Sequence, residues 1–157
     1  MHAEATPMDA RCLLVVGLGC ERGTPPAELV DLARSVVDRP QDIAFVATLD
    51  VRADEPAMHA VARHFAVPLV TFPADRLEAE TPRLANPSAV VFAHAGCHGV
   101  AEAAALAKAG ADARLVVEKT KSARATVAIA ESFQGLAPPS LESDSPSSSI
   151  DSIRGGA

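Results

Sequence analysis

The chain contains no tryptophan and no tyrosine, and aromatic residues make up only 3% of it. Single-stranded nucleic acids are held largely by stacking bases on aromatic side chains, so the composition argues against that class of ligand. Positive charge is scarce too. The formal net charge of -6 argues against a non-specific polyanion binder, and any anionic ligand must be gripped by local cations against the overall field. No run of about 18 apolar residues occurs, so no membrane span is expected. The stretch from Met1 to Arg11 is polar and lacks the apolar segment of a secretory signal. Three cysteines, an odd number without framework spacing, predict a reducing, cytoplasmic setting. No Ser-His-Asp or Cys-His arrangement can be read from spacing.

What is present is a chain of 157 residues, 48% of them hydrophobic, which suits one domain with a real core. Strands are expected at about 12–16, 43–49, 68–72, 114–117 and 126–130. A helix is expected over 25–38, where Leu29, Leu32, Ala33 and Val36 recur at helical spacing. A second covers 56–65. A third covers 100–109, an alanine-rich segment closed by Gly110 whose small side chains allow close approach to a sheet. Residues 73–84 read as a loop with one helical turn. Residues 87–93 fit a helix or a strand, and the helix is preferred. Strands alternating with helices predict a single-domain α/β fold, a three-layer α/β/α sandwich. Residues 1–10 are expected to be a flexible leader and 11–132 the folded domain. Residues 133–157, rich in Pro and Ser, are expected to be a disordered tail.

Four stretches could carry chemistry. The first is Gly17-Leu18-Gly19-Cys20-Glu21-Arg22-Gly23-Thr24, read as a strand that turns on glycines into a helix. Backbone N–H groups and a helix N-terminus there would seat an anion, and the Arg22 guanidinium could grip a carboxylate with two parallel bonds. Thr24 is a plausible N-cap with Pro25 at the first helical position. The spacing is one residue too long for a dinucleotide fingerprint, and no Lys follows Gly23 as in a P-loop. A tight connection needing glycine conformations is the alternative.

The second stretch is Thr48-x-Asp50-x-Arg52-x-Asp54-Glu55. Alternate side chains of an extended segment share one side, and a carboxylate beside an arginine stays ionised and could act as a base. Helix capping by Asp54 or Glu55 is the alternative. The third is Lys119-x-Lys121-x-x-Arg124, read as a turn between strands that either grips carboxylates or is simply a charged hairpin turn. The fourth is His94-x-x-Cys97-His98. Its ligand types suit a metal, with Cys20 as an outside partner, but no second ligand pair stands at standard spacing, so no metal and no cofactor are expected. Cys97 reads as a small packed residue beside Gly96, and Glu102 as a residue reaching back to its own helix N-terminus.

Taken in order, Gly17 to Thr24, Thr48 to Pro56, Gly96-Cys97-His98-Gly99-Val100-Ala101-Glu102, Lys119-Thr120-Lys121-Ser122 and Thr126 to Ala130 resemble the cobalamin-biosynthesis family of CobE and the C-terminal domain of CbiG. The resemblance spans about residues 11–130. It implies a three-layer α/β/α domain and a role in corrin-ring synthesis, with a precorrin or other tetrapyrrole intermediate as partner. It also implies the stand-alone form, without the domain that precedes this region in the longer lactone-opening hydrolase. Gly17, Gly19, Cys20, Arg22, Gly23, Thr24, Arg52, Asp54, Glu55, Gly96, Glu102, Lys119 and Lys121 become the expected substrate-binding residues, and Asp50 and Thr48 the expected catalytic pair. Glu21 stands where the family usually has a basic residue, and Arg52 where it often has lysine. A carrier, a ring-modifying enzyme with hydrolase-like chemistry, and an accessory protein docked on another pathway enzyme all stay open. A nucleotide- or anion-binding enzyme of another kind is a further alternative.

Overall fold

The computed structural model describes residues 12–132, so the expected leader and tail lie outside the described residues. Five strands form one sheet in the order β3-β2-β1-β5-β4. They are β1 (Leu13–Cys20), β2 (Ile43–Leu49), β3 (Leu69–Phe72), β4 (Arg114–Lys121) and β5 (Ala125–Ser132). The helices are α1 (Pro26–Val36), α2 (Pro56–Phe65), α3 (Ala74–Glu78), α4 (Ala89–Ala95) and α5 (Val100–Ala109).

Alternation along β1 divides the core into two layers. Leu14, Val16 and Leu18 face α1 and α2, packing with Leu29, Leu32, Met58 and Val61. Val15 faces the other way, toward Ala103, Ala104 and Leu77 of α5 and α3. Helices on both faces of one sheet make the expected three-layer sandwich within Leu13–Ser132.

The sheet is mixed. β1, β2 and β3 are parallel, whereas β5 runs antiparallel to both β1 and β4. The chain builds outward from β1 on one side as β2 and β3. It then crosses back over the α5 face and fills the other side with β4 and β5. The strand order therefore reverses at β1, which has the parallel β2 on one side and the antiparallel β5 on the other.

Three boundaries depart from expectation, each for a physical reason. β1 continues through Gly17 and Gly19 to Cys20. The two glycines fall on the same face, and a Cβ at Gly17 would collide with the Ala101 carbonyl oxygen and lie 2.8 Å from Ala105 N. They are the track on which α5 lies against the sheet, not a turn. β4 continues to Lys121, so the expected turn from Glu118 shrinks to Ser122-Ala123-Arg124, and Lys119 and Lys121 stand on an edge strand. Helix α1 begins at Pro26 with Pro25 as its cap residue. The Thr24 hydroxyl caps nothing there and instead donates to the Glu21 carbonyl at 2.7 Å.

The 73–84 segment holds α3 and a 3-10 turn at Thr81–Arg83. Arg83 then reaches carbonyls at and just beyond the C-terminal end of α5. It donates to Gly110 O at 3.1 Å and Ala113 O at 3.1 Å while pairing with Glu80 at 2.8 Å.

Candidate functional site

Two groups of polar side chains meet at the edge where β1 and β2 end. The first is built on the connections that follow these strands. The Asp50–Arg52 turn leaves β2 directly, and the Arg52 Nε donates to Cys20 O, the last carbonyl of β1, at 2.9 Å. Glu55, buried at the start of α2, accepts the Gly23 N–H at 3.0 Å and stands 3.9 Å from the Arg22 guanidinium. Gly23 itself has φ +78, a left-handed conformation that favours glycine.

This corrects the picture of an open anion seat. The amide at the tip of the glycine loop is already taken by a carboxylate of the protein. Arg22, with 64% of its side chain exposed, is held loosely enough to turn outward. Cys20 lies beside Thr24, and burial pushes its thiol up, outweighing the Thr24 hydrogen bond, so it is not poised as a nucleophile.

The second group is built on Glu102, near the start of α5. It is buried and does not reach back to its own helix as expected. Its Oε1 accepts the Asn86 N–H at 2.9 Å, and its Oε2 accepts Asn86 Nδ2 at 2.8 Å and the Lys119 N–H at 2.9 Å. Burial works to raise its pKa, but these donors more than offset it and hold the carboxyl below its ordinary value. The Lys119 amide is available because the β4–β5 ladder is irregular between Val117 and Thr120; such bulges free a backbone group and re-aim side chains. Lys119 and Lys121 make no ion pair among the described residues.

The two groups share one edge by register. Lys121 pairs with Thr126, and Thr126 with Gly19. Lys121 thus stands two strand spacings from Gly19, about 10 Å. Asp50 follows Leu49, the end of the strand on β1's other side, which gives the edge a breadth of about 15 Å. A third set of contacts closes the α1 side. Glu21 N donates to Arg124 O at 2.9 Å, and Glu28 accepts from the Ser122 hydroxyl and the Arg124 amide and guanidinium. The Ser122 hydrogen bond, then the Arg124 amide, holds Glu28 below the usual carboxylate range. Arg124 is therefore consumed in joining α1 to the β4–β5 turn.

Several expected site residues do other work. Thr48 is fully buried and donates to Leu18 O at 2.7 Å; it locks β2 to β1 and reaches no solvent. Gly17 and Gly19 face α5. Gly96 ends α4 with φ +80. Asp50 and Asp54 are exposed, and the Asp50 carboxylate has no hydrogen bond among the described residues. In the histidine-cysteine stretch Cys97 is buried, and burial raises its thiol pKa. The His98 ring meets Glu78 at 2.9 Å, and its hydrogen bond holds that carboxyl low. No group of three or more metal-ligating side chains exists among the described residues. Asn86 and Glu28 were not legible as partners, since the groups they bind lie 16 or more residues away along the chain. Among the described residues no single helix is long and apolar enough to cross a membrane.

Residues 14–130 match the family model for the cobalamin synthesis G C-terminus. The chain is 57% identical over 121 residues to Protein CobE of Sinorhizobium sp, covering 74% of this chain and 79% of that one. It is 30% identical over 122 residues to a cobalt-precorrin-5A hydrolase of Priestia megaterium, covering 75% of this chain but only 32% of the hydrolase. Among solved structures, the 1.7 Å crystal structure of CobE from the cobalamin biosynthetic pathway matches with TM-score 0.66 and 33% identity, over 76% of this chain and 90% of that one. The cobalamin biosynthesis protein chiG of Agrobacterium tumefaciens matches with TM-score 0.58 and 31% identity, over 76% and 98%. The chain belongs to the cobalamin synthesis G C-terminus family, and its place is in cobalamin biosynthesis.

Proposed function

We propose that the protein binds a precorrin-type tetrapyrrole of the aerobic route at this edge, as a carrier. Such a ligand is a broad macrocycle fringed with acetate and propionate groups, and it needs donors spread over its width rather than a single deep anion hole. The observation that carries the reading is the shared edge. Arg22, Arg52 and Lys121 come from three separate chain segments that follow or end β1, β2 and β4 at the same end of the sheet, over a breadth of about 15 Å. Each well-placed cation–carboxylate hydrogen bond is worth about 1.5–3 kcal/mol when partly desolvated and much less when exposed.

Binding fits the residues better than catalysis. Glu55 and Glu102 are engaged in hydrogen bonds, and Thr48 is sealed in the core. That leaves Asp50 as the one expected catalytic group facing solvent. The relative with hydrolase activity is three times longer than the matched region, so lactone opening is not carried over. The test is a titration of the purified protein with hydrogenobyrinic acid, read by visible absorption. A saturable spectral shift at micromolar protein, weakened about tenfold or more in the Lys119→Ala/Lys121→Ala double variant, supports the carrier. No shift at all leaves an accessory role, docked on another pathway enzyme, as the better account.

A further inference from the structure

The His98 ring is fixed at one edge and on one face. Both oxygens of the Glu78 carboxylate lie 2.9 Å from its Nδ1, and Glu78 Oε1 also accepts the His98 N–H at 2.9 Å. The Phe92 ring stacks on it with centroids 4.5 Å apart. A carboxylate can only accept, and the His98 hydrogen bond holds the Glu78 carboxyl low, so Nδ1 carries a proton. Nε2, at the opposite corner of the ring, makes no hydrogen bond among the described residues. It is not buried either, because Thr81 Oγ1 is the sole buried side-chain polar atom without a partner among them. The carboxylate–imidazole pair therefore presents Nε2 to solvent in a set direction.

The packing of α5 fixes where this corner stands. A Cβ at Gly17 would meet Ala101 and Ala105, and one at Gly19 would lie 3.5 Å from Val100 Cβ. The helix therefore runs antiparallel to β1 and starts over the end of that strand, where Cys20 O receives Arg52. His98 is two residues before Val100, so their Cα atoms lie within about 8 Å of each other. His98 thus stands off the same end of the sheet as Arg22, Arg52 and Lys121, but on the α5 face rather than in the row of strand ends. Contacts in one row leave a flat ligand free to pivot about that row, and a further contact off the row fixes its tilt. The other charged groups on the neighbouring elements are engaged or exposed. Arg76 and Arg83 pair with Glu80, Glu102 holds Asn86 and the Lys119 amide, and Asp75 and His94 are exposed. Among the described residues, Glu78 is the charged group that meets the ring.

We infer that His98 is a further anchor of the edge: its Nε2–H donates to one acid group of the tetrapyrrole, the Glu78 carboxylate behind it balances the imidazolium, and binding takes up a proton from solvent at Nε2. This rests on the reading of the edge as a tetrapyrrole site and adds the residue that sets the tilt of the ring. The test is nitrogen NMR of protein carrying isotope-labelled histidine, with and without hydrogenobyrinic acid, at about pH 8, where an ordinary imidazole is neutral. The His98 resonances are assigned by their loss in His98→Gln and, in the unsubstituted protein, by contact with the Phe92 ring. Nδ1 should be protonated throughout, and Nε2 should gain a proton when the ligand is added, while the exposed His94 stays unchanged. His98→Gln should keep its circular dichroism spectrum and bind about fivefold or more weakly. If the unsubstituted protein binds but Nε2 gains no proton, or if His98→Gln folds and binds as tightly as the original, the anchor is overturned and the edge reading stands. If the unsubstituted protein gives no absorption change with hydrogenobyrinic acid, the edge reading falls and the anchor falls with it.

Discussion

Replacing Gly17 with alanine tests whether the first glycine serves the ligand or the fold. In the native packing an added Cβ would lie 2.8 Å from Ala105 N and 3.0 Å from Ala101 C, with the Ala101 carbonyl oxygen closer still. Every one of these atoms is backbone, so no rotamer change relieves the clash. Ordinary contact between heavy atoms needs about 3.5 Å, so α5 would have to lift by about 0.7 Å at Ala105 and by more at Ala101. That motion opens the layer in which Ala101, Ala103, Ala104, Ala105 and Leu106 are buried. Overpacking of a well-packed core costs about 1–3 kcal/mol when side chains can adjust, and here they cannot, so a loss of about 3 kcal/mol or more is expected. For a domain of this size that is roughly a 10 °C fall in Tm. The matched control is Gly23→Ala, where a Cβ meets nothing within 4 Å but φ is +78; its cost should be confined to conformational strain, about 1–2 kcal/mol. Thermal unfolding followed by circular dichroism separates the two. A Gly17→Ala protein that melts within 2 °C or so of the original would refute the claim that this glycine exists for helix approach, and would return it to the ligand site.

Glu102→Gln should destabilise the protein by about 2–4 kcal/mol at neutral pH, since an amide NH2 replaces one oxygen that accepts from Asn86 or Lys119 and each bond to a charged acceptor is worth about 1.5–3 kcal/mol. The native carboxyl is depressed below the ordinary 4.5, so its contribution is complete above that pH and is lost as pH falls through the folded value; urea titrations should show the gap between the two proteins closing in acid. Glu55→Gln keeps an acceptor for the Gly23 N–H but releases Arg22 from its 3.9 Å pairing. Stability should change by less than about 1 kcal/mol, and hydrogenobyrinic acid should bind up to about fivefold more tightly, a gain that fades with added salt.

The layered architecture was legible because its signals are local. Leu29, Leu32 and Ala33 mark one helix face and are buried together, and the alanine run with Gly110 marks α5 and its end. The errors have a common origin in residues whose neighbours are distant in sequence. Gly17 and Gly19 look like a turn because glycine weakens strands, and only the arrival of α5 more than 80 residues later, with Ala101 against Gly17, explains them. Glu118 to Lys121 look like a turn because an edge strand with one solvent face, broken by a bulge, carries the same charged composition. Glu102 looks like a helix cap because its spacing from Gly99 is right, yet Asn86 and the freed Lys119 amide outbid the local donors. Arg83, which fastens the far end of α5, carries no motif at all.

The two buried carboxylates at the edge set what kind of ligand it can hold. Glu55 fills the glycine loop and Glu102 fills the gap between α5 and β4, so both backbone recesses that could have enclosed a small anion are occupied from within. A phosphate or a lone carboxylate would find the Gly23, Asn86 and Lys119 amides already donating to these two carboxylates. What the edge still offers is peripheral: Arg22 beyond the central β1, Lys121 at the end of β4 two strands away, and the exposed apolar side chain of Val51 on the β2 turn. Cations that far apart gain little from any single acid group, because each exposed pair is worth at most about 1 kcal/mol. They act together only on a ligand that carries several acid groups on a rigid frame, which has already lost the freedom that separate anions would have to surrender. On the proposed reading, selectivity for a broad polycarboxylate over small anions would follow from the protein's own carboxylates sitting where a small anion would have gone.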